Sequence, residues 1–442
     1  MKRVYVRAFL VTLTAAFALG SCSSGDNTAT STGSAAEQTV SGSETASADT
    51  STDVPAVTEA SETSEAVLSG LAPEEQRSVL TEHSIVQTGN TARLKRAFEK
   101  ASAGEEITAA FIGGSITEGY TLRPEECWAK LTYDDLCGRF PDAKINYVNA
   151  GMSGTPSSLA VVRCERDVLA PVGDPDIVFV EFAVNDSQDS FCREAYESLV
   201  RRMLALDTQP AVILMFMRTN TGYSCQKQQS DIGFKYGLPM ISLNDALSEA
   251  IDAGVMTWED YSGDEAHPNP EGSKFIAGMT KYLFDCAENG KVIGDPDAPE
   301  ITDVSSVEPL NGSAYENMHY LDRTTLTPVS LGEYNDRRRT VSQFPDGWVR
   351  LGGENEGIVF ELEFDTLIMV YVTNKDSAYG TAEVYVDGEH VTDMVGYSSG
   401  GWNNPVPKLI VSGAGSGTHR VELKMAAGSE DDYFALGALG IS

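Results

Sequence analysis

The strongest constraint on the fold is an alternation of apolar runs and amphipathic segments within residues 71–297. Five runs have the length and composition of buried strands: ITAAFIGG, KINYVNAG, DIVFVEFAVND, AVILMFMRTN and PMISLNDA. The amphipathic segments between and around them include NTARLKRAFEKASA, CWAKLTYDDLCGRF, REAYESLVRRMLAL and GSKFIAGMTKYLFDCA. This alternation predicts a parallel sheet covered by helices on both faces. Ligands of such open sheets bind at the carboxyl ends of the strands.

The sequence pattern changes after GDPDAPEITD. Seven short strand-like segments follow: WVRLGG, GIVFELEF, TLIMVYVTN, TAEVYVDGEHV, PKLIVSG, HRVELKMA and YFALGALGIS. Turn signals separate them, and Asp387-Gly388 is typical of a two-residue hairpin turn. The sequence therefore predicts an α/β domain at residues 69–297, followed by an all-β sandwich of jelly-roll type at residues 298–442.

The first 22 residues have the features of an export signal. Three basic residues (Lys2, Arg3 and Arg7) precede an apolar stretch at residues 8–19, which is too short to span a bilayer comfortably. The stretch ends in LGSC, which resembles a bacterial lipobox. That resemblance implies that Cys22 is lipidated and becomes the mature N-terminus. The alternative is a plain secretory peptide in which this cysteine is incidental.

Residues 23–68 predict a flexible tether. Up to about Ala66 they are mostly Ser, Thr, Ala, Gly, Asp and Glu, with no Lys, Arg or aromatic residue. Such a segment buries too little apolar surface to offset its ordering entropy. We therefore expect an exported bacterial lipoprotein on the outer side of the membrane, attached to the bilayer by its lipid anchor only.

The charge of the chain limits its partners. Its 32 Lys and Arg residues oppose 65 Asp and Glu residues, which gives a net charge of −33. Because such a chain repels phosphate backbones, nucleic acid is not an expected partner, whereas neutral polysaccharides remain possible. Oligomeric state is left open.

Six further cysteines lie in the middle of the chain, and none forms a CxxC pair. Neither a zinc site nor another metal site is indicated, and no cofactor is expected. The spacing leaves open whether these cysteines pair or remain free thiols. They are Cys127, Cys137, Cys164, Cys192, Cys225 and Cys286.

The motif AAFIGGSITEGY ends a predicted strand in two glycines that present Ser115. A phosphate-binding loop of the form G-x-x-x-x-G-K-[ST] nearly fits, but Tyr120 occupies the position of the essential lysine. The dinucleotide pattern G-x-G-x-x-G is also absent. A nucleophilic serine is the remaining chemical interpretation, and its alternative is a serine that merely completes a turn.

A nucleophilic serine needs a base, and His267 is the best placed of the five histidines. Three others lie in the predicted β-domain, and His83 lies in a polar segment before the first strand. Asp264, three residues before His267, could orient the imidazole ring, although it could also be a solvated loop carboxylate. Gly154 and Asn185 each follow a predicted strand, where they could donate hydrogen bonds to an oxyanion or simply form turns.

Four blocks of this chain resemble, in order, those of the SGNH (GDSL-type) hydrolases: GGSIT, GMSG, AVND and DEAH. The resemblance covers residues 90–288. It implies a flavodoxin-like, three-layer α/β/α fold. The implied site comprises Ser115 as nucleophile, His267 as base, Asp264 to orient it, and an oxyanion hole from the Ser115 backbone, Gly154 and Asn185.

Two positions depart from the commonest family pattern. Gly114 replaces the Asp of GDSL, and Ala183 replaces the Gly two residues before Asn185. Ser153, in the second block, is a rival nucleophile. The fifth residue of GGSIT is Thr117, so the motif is not the G-x-S-x-G elbow of α/β-hydrolases.

The resemblance implies a serine esterase that removes O-acetyl or other small acyl groups from a polysaccharide, as bacterial carbohydrate esterases with an added β-sandwich do. The alternatives are a lysophospholipase or thioesterase of the same fold, and a non-catalytic glycan-binding surface lipoprotein. Aromatic side chains could form a sugar-binding surface, although burial in the core is their default. They are Trp258, Tyr261, Trp348, Tyr379, Tyr397 and Trp402.

Overall fold

The computed structural model describes residues 68–442. The predicted signal peptide, the lipidation site Cys22 and nearly all of the tether lie outside the described residues. Within them, no helix is both long enough and apolar enough to cross a membrane.

A six-stranded sheet occupies the centre of the first part of the chain. Its strands are β1 (Ile85–Gln87), β2 (Ile107–Gly113), β3 (Ile145–Gly151), β4 (Ile177–Glu181), β5 (Ala211–Phe216) and β6 (Met240–Ser242). The spatial order is β1-β6-β5-β4-β2-β3, and only β1 runs antiparallel to its neighbour. The five parallel strands have the flavodoxin-like order, which confirms the predicted fold. The antiparallel edge strand β1 was not predicted.

Ten helices of the described chain cover this sheet. They are α1 (Pro73–His83), α2 (Ala92–Ser102), α3 (Ser115–Glu118), α4 (Trp128–Arg139), α5 (Ser157–Cys164), α6 (Ser190–Leu204), α7 (Gln226–Lys235), α8 (Leu243–Asp252), α9 (Trp258–Tyr261) and α10 (Pro270–Asn289). Alternate residues of β2 point into different buried clusters: Phe111 into one and Ile112 into the other. Because both faces of the sheet are buried, the strands read as continuous apolar runs.

The strand order creates a crevice at the carboxyl edge of the sheet. β2 pairs with both β3 and β4, so the chain leaves β2 towards one side and returns on the other. The connections after β2 and β4 therefore diverge and leave space between them. The GGSIT and AVND turns border this crevice.

The second part of the described chain is a sandwich of two antiparallel sheets. Its strands are β7 (His319–Leu321), β8 (Tyr334–Asn335), β9 (Trp348–Arg350), β10 (Ile358–Phe364), β11 (Leu367–Asn374), β12 (Thr381–Val386), β13 (Glu389–Val395), β14 (Trp402–Val411), β15 (Gly417–Met425) and β16 (Phe434–Ile441). One sheet has the order β10-β15-β12-β13; the other has the order β14-β11-β16-β9-β8, with β7 also paired to β16. Asp387 and Gly388 both have positive φ, as a type I′ hairpin turn requires. The predicted sandwich is confirmed.

The sandwich packs against helix α5 of the first part. Val162 of α5 belongs to the same buried cluster as Ile368 of β11 and Ala438 of β16. Gly440 lies so close that a Cβ there would be 2.8 Å from Val162 Cγ2. Helix α5 is therefore buried between the parallel sheet and the sandwich. The two parts of the described chain therefore share one buried core at this helix.

Candidate active site

Ser115 is held at the crevice by a turn whose two glycines lie in close contact with neighbouring residues. Strand β2 is fully buried and ends at Gly113, Gly114 is extended, and Ser115 begins the one-turn helix α3. A Cβ on Gly113 would lie 2.3 Å from Thr117 Oγ1, and one on Gly114 would lie 2.0 Å from Asn185 Oδ1. No real Cβ tolerates such contacts, so the two glycines permit the close approach that presents Ser115.

His267 lies opposite this serine, in the loop between α9 and α10. The distance from His267 Nε2 to Ser115 Oγ is 2.8 Å, and that from His267 Nδ1 to Asp264 Oδ2 is 2.9 Å. The side chain of His267 is only 15% exposed. With the proton on Nδ1, the ring donates to Asp264 and accepts from the Ser115 hydroxyl.

Asp264 is anchored by the backbone of its own loop. Its Oδ1 accepts the N–H groups of Ala266 at 2.9 Å and of His267 at 2.8 Å. Burial alone would raise the pKa of the Asp264 carboxyl, but these N–H groups and the His267 ring together lower it below its ordinary value. Asp264 is therefore an ionised, oriented acceptor for the ring.

Asn185 lies beside the turn at residues 113–115, called the nucleophile turn below after the predicted role of Ser115, as its contact with Gly114 shows. Its backbone N–H donates to Phe182 O, which closes a tight turn after β4. Its amide Oδ1 is buried and has no hydrogen-bond partner in the described chain. Ala183, which departs from the family pattern, is fully buried in this turn and accepts the N–H of Cys225.

Gly154 lies in the loop after β3, with φ of 68°. The loop is fastened to the nucleophile turn in two ways. Met152 N–H donates to Gly113 O at 3.0 Å, and both Ser153 N–H and its hydroxyl donate to Glu118 Oε2 of α3. Ser153 is thus engaged by a carboxylate, whereas Ser115 faces the histidine.

Two exposed aromatic side chains flank the site. The ring of Tyr120 lies 4.8 Å from the ring of His267, measured between centroids. Trp402, from the β-domain, is 47% exposed, and a Cβ on Gly154 would lie 3.1 Å from its Cζ2 atom. The sequence alone could not place Trp402 at the site, because nearly 250 residues separate it from Gly154.

Local geometry of β14 presents Trp402. The pairing of β14 with β11 is irregular at Asn374, and Asn403 has φ of 72°. Asn403 Oδ1 accepts hydrogen bonds from Tyr379 Oη and from Asn374 Nδ2. Beside it lies a cavity of about 420 Å³, lined by Thr340, Val341, Ser342, Gln343, Tyr379, Trp402, Asn403 and Tyr433.

The other candidate aromatic residues differ in position. Trp348 and Tyr261 are fully buried and belong to the core. Trp258 donates its indole N–H to the backbone carbonyl of Asp264 at 2.6 Å, so it stabilises the loop that carries Asp264 and His267. Tyr397 is exposed.

Two buried acids near the site were missed at the level of sequence. Burial is the main reason that the pKa of Glu181 rises to about 8 and that of Asp186 to about 7. The available signal was a glutamate inside the apolar run DIVFVEFAV, where a charge without a partner is costly.

The described residues contain no group of His, Cys, Asp and Glu side chains that could hold a metal ion. Their six cysteines are free thiols.

Comparison with known proteins agrees with the observed fold. Residues 111–275 match the GDSL-like lipase/acylhydrolase family model. The structure is similar to that of a two-domain esterase (CEX) active on acetylated mannans, with a TM-score of 0.72 and 28% sequence identity over 82% of this chain and 98% of that chain. The mannopentaose co-crystal of the same enzyme gives a TM-score of 0.71 and 28% identity over 82% of this chain and 97% of that chain. No curated protein matches the sequence. The resemblance to the SGNH (GDSL-type) hydrolases is thus confirmed, and the chain is an ester hydrolase.

The Gly114 contact yields a testable prediction. If Asn185 donates to the oxyanion as the sequence predicts, Gly114→Ala should lower kcat about a hundredfold or more, because the new methyl group displaces the Asn185 amide and removal of one oxyanion donor has an effect of this size. Gly138→Ala in α4 is the matched control, since a Cβ there meets nothing within 4 Å. Both variants are assayed on p-nitrophenyl acetate. Unchanged kcat in Gly114→Ala would contradict a role for Asn185 beside the nucleophile.

Proposed function

We propose that this ester hydrolase removes O-acetyl groups from a polysaccharide outside the cell, through an acyl-enzyme on Ser115. The observation that carries the proposal is the continuous contact from Ser115 Oγ to His267 Nε2 and from His267 Nδ1 to Asp264 Oδ2, at 2.8 and 2.9 Å. Nucleophile, base and orienting acid within hydrogen-bond reach form the arrangement required for acyl transfer.

In the first step, Ser115 Oγ attacks the acetyl carbonyl carbon while His267 Nε2 takes the hydroxyl proton. The resulting imidazolium is stabilised by the ionised Asp264. The carbonyl oxygen becomes an oxyanion, for which the backbone N–H groups of Ser115 and Gly154 and the Asn185 amide N–H are the proposed donors. As the first residue of α3, Ser115 has an N–H without an intrahelical partner.

Collapse of the tetrahedral intermediate breaks the bond to the sugar oxygen. The imidazolium of His267 gives its proton to that oxygen, so the sugar leaves as an alcohol and the acetyl group remains on Ser115. A water molecule then attacks the acetyl carbonyl while His267 accepts a proton from it. The second collapse releases acetate and returns the proton to Ser115.

The substrate class is supported by the surroundings of Ser115. Exposed aromatic rings suit the apolar faces of sugar rings, and both Tyr120 and Trp402 are exposed at the site. The similarity to the esterase active on acetylated mannans extends over both domains, so it includes the β-domain that supplies Trp402. An acetylated mannan is therefore the first glycan to test. We further propose, from the N-terminal sequence alone, that the enzyme is anchored through Cys22 on the outer side of the membrane.

The first test is release of acetate from acetylated polysaccharides. We expect acetate from at least one of acetylated mannan, xylan, pectin or peptidoglycan, because the Ser115–His267–Asp264 contacts suit ester hydrolysis and exposed aromatic rings lie beside them. Ser115→Ala is expected to lower the rate by at least about a thousandfold, since it removes the nucleophile. Ser153→Ala is the matched control and should retain activity. Acetate release that persists in Ser115→Ala would reject the proposed nucleophile.

The second test separates polymer binding from chemistry. We expect Trp402→Ala to lower kcat/KM on the acetylated polysaccharide about tenfold or more, while p-nitrophenyl acetate hydrolysis changes less than about twofold, because binding energy from sugar units remote from the ester acts on the polymer alone. Phe234→Ala is the matched control, since Phe234 is equally exposed near the C-terminal end of α7, at the opposite edge of the sheet. Equal losses on both substrates would contradict a role for Trp402 in polymer binding.

A further inference from the structure

Glu181 lies directly beneath the nucleophile turn. It is the last residue of β4, its side chain is fully buried, and its Oε2 accepts the Thr117 hydroxyl of α3 at 2.9 Å. The other oxygen, Oε1, is buried and has no hydrogen-bond partner in the described chain. The carboxyl group is thus satisfied on one side only.

Two other buried acids of the same chain are satisfied on both sides. Asp186 accepts from Ser157 N–H on Oδ1 at 2.7 Å and from Gln229 Nε2 on Oδ2 at 3.0 Å. Glu197 accepts two hydrogen bonds on each oxygen; the donors are Tyr236 Oη, Leu310 N, Asn311 N and Asn311 Nδ2. Glu181 differs from both because it has an oxygen without a donor.

A buried carboxylate with an unpaired oxygen is costly unless it carries a proton, which removes the charge. A protonated carboxyl group accepts with one oxygen and carries a hydrogen on the other. That distribution matches Glu181, whose Oε2 accepts the Thr117 hydroxyl and whose Oε1 has no donor in the described chain. Asn185 Oδ1, which lies against Gly114 of the same turn, is a second buried acceptor without a partner in the described chain.

We propose that Glu181 is a positioning residue that acts in its protonated form, holding the nucleophile turn through Thr117 while keeping the floor of the site neutral. This inference rests on the proposed function. An ionised Glu181 would place a negative charge in a dry environment beneath the forming oxyanion, which would oppose the charge that the transition state develops.

The titration of Glu181 supports this role. Burial raises the pKa of Glu181 to about 8, and the charge of Asp186 raises it as well, although the Thr117 hydroxyl and the backbone amides of Gly114 and Thr117 act in the opposite direction. Loss of the proton above that pH should therefore lower kcat/KM.

Other titratable groups surround Glu181. Tyr196 on α6 and Tyr261 on α9 both have pKa values raised, first by burial and then by neighbouring acids, so neither ionises near pH 8. The loop of His267 and Asp264 lies on the solvent side. Asp186 is the competing candidate, since burial raises its pKa to about 7.

The test is the pH dependence of kcat/KM on p-nitrophenyl acetate between pH 5 and 10. We expect kcat/KM of the wild type to fall about tenfold above pH 8. Glu181→Gln, which keeps one acceptor and adds no charge, should retain the activity at pH 7 within about threefold and lose the alkaline decrease. In Glu181→Ala, kcat/KM at pH 7 should be at least about tenfold lower than in the wild type. Glu197→Gln and Asp186→Asn are controls, in which kcat/KM should still fall above pH 8.

Three results would overturn the inference. They are an alkaline decrease that persists in Glu181→Gln, a decrease that disappears in Asp186→Asn, and equal losses in Glu181→Gln and Glu181→Ala. A wild type without Ser115-dependent hydrolysis would instead refute the proposed function.

A melting experiment tests the protonated state without reference to activity. The unfolded Glu181 ionises near its ordinary value of 4.5, whereas the folded group keeps its proton to about pH 8. The wild type should therefore lose stability over this pH range. The Tm of Glu181→Gln relative to the wild type should rise between pH 5 and 8 and stay constant above. A pH-independent difference would overturn the inference.

Discussion

The site depends on the close approach of the nucleophile turn to the end of β4. Gly113 lies against Thr117 and the carbonyl of Glu181, and Gly114 lies against the amide of Asn185. Side chains at either glycine would separate two neighbouring strands at the point where their connections diverge. Because the backbone can pass here without a Cβ, one short turn brings together the serine, the amide and the buried acid.

At Gly114, where the commonest family pattern has Asp, this chain packs closely against Asn185. A side chain at Gly114 would occupy the space of Asn185 Oδ1. On the far side of the turn, Arg163 of α5 donates to the carbonyls of Gly113 and Ala150 at 3.0 and 2.7 Å, which ties the ends of β2 and β3 together. The same helix packs against the sandwich, so the β-domain supports the frame of the site as well as supplying Trp402.

Structural features that depend on short stretches of sequence could be predicted. The apolar runs at β2 and β4 predicted the parallel sheet, and Asp387-Gly388 predicted a hairpin turn. The spacing of Asp264 and His267 predicted a carboxylate within reach of the imidazole ring. Each depends on contacts within a few residues or on a regular period. Their mutual arrangement followed from the order of the blocks along an open sheet, because loops at its carboxyl edge meet at the switch point.

Features that depend on distant contacts could not be predicted. Trp402 reaches Gly154 through packing of the sandwich on α5 and an irregularity in β14, and neither leaves a local pattern. The pairing of only one Glu181 carboxyl oxygen depends on where Thr117 lies in space. The three-residue strand β1 was missed because it is too short to show a period.

The central claim is that His267 activates Ser115 as the nucleophile. The most direct measurement is covalent labelling with a p-nitrophenyl alkylphosphonate, which phosphonylates activated serines, followed by intact-mass analysis and peptide mapping. We expect one adduct per chain, on Ser115, and no adduct in His267→Ala. An adduct on Ser153, or labelling of Ser115 at the same rate in His267→Ala, would contradict the claim.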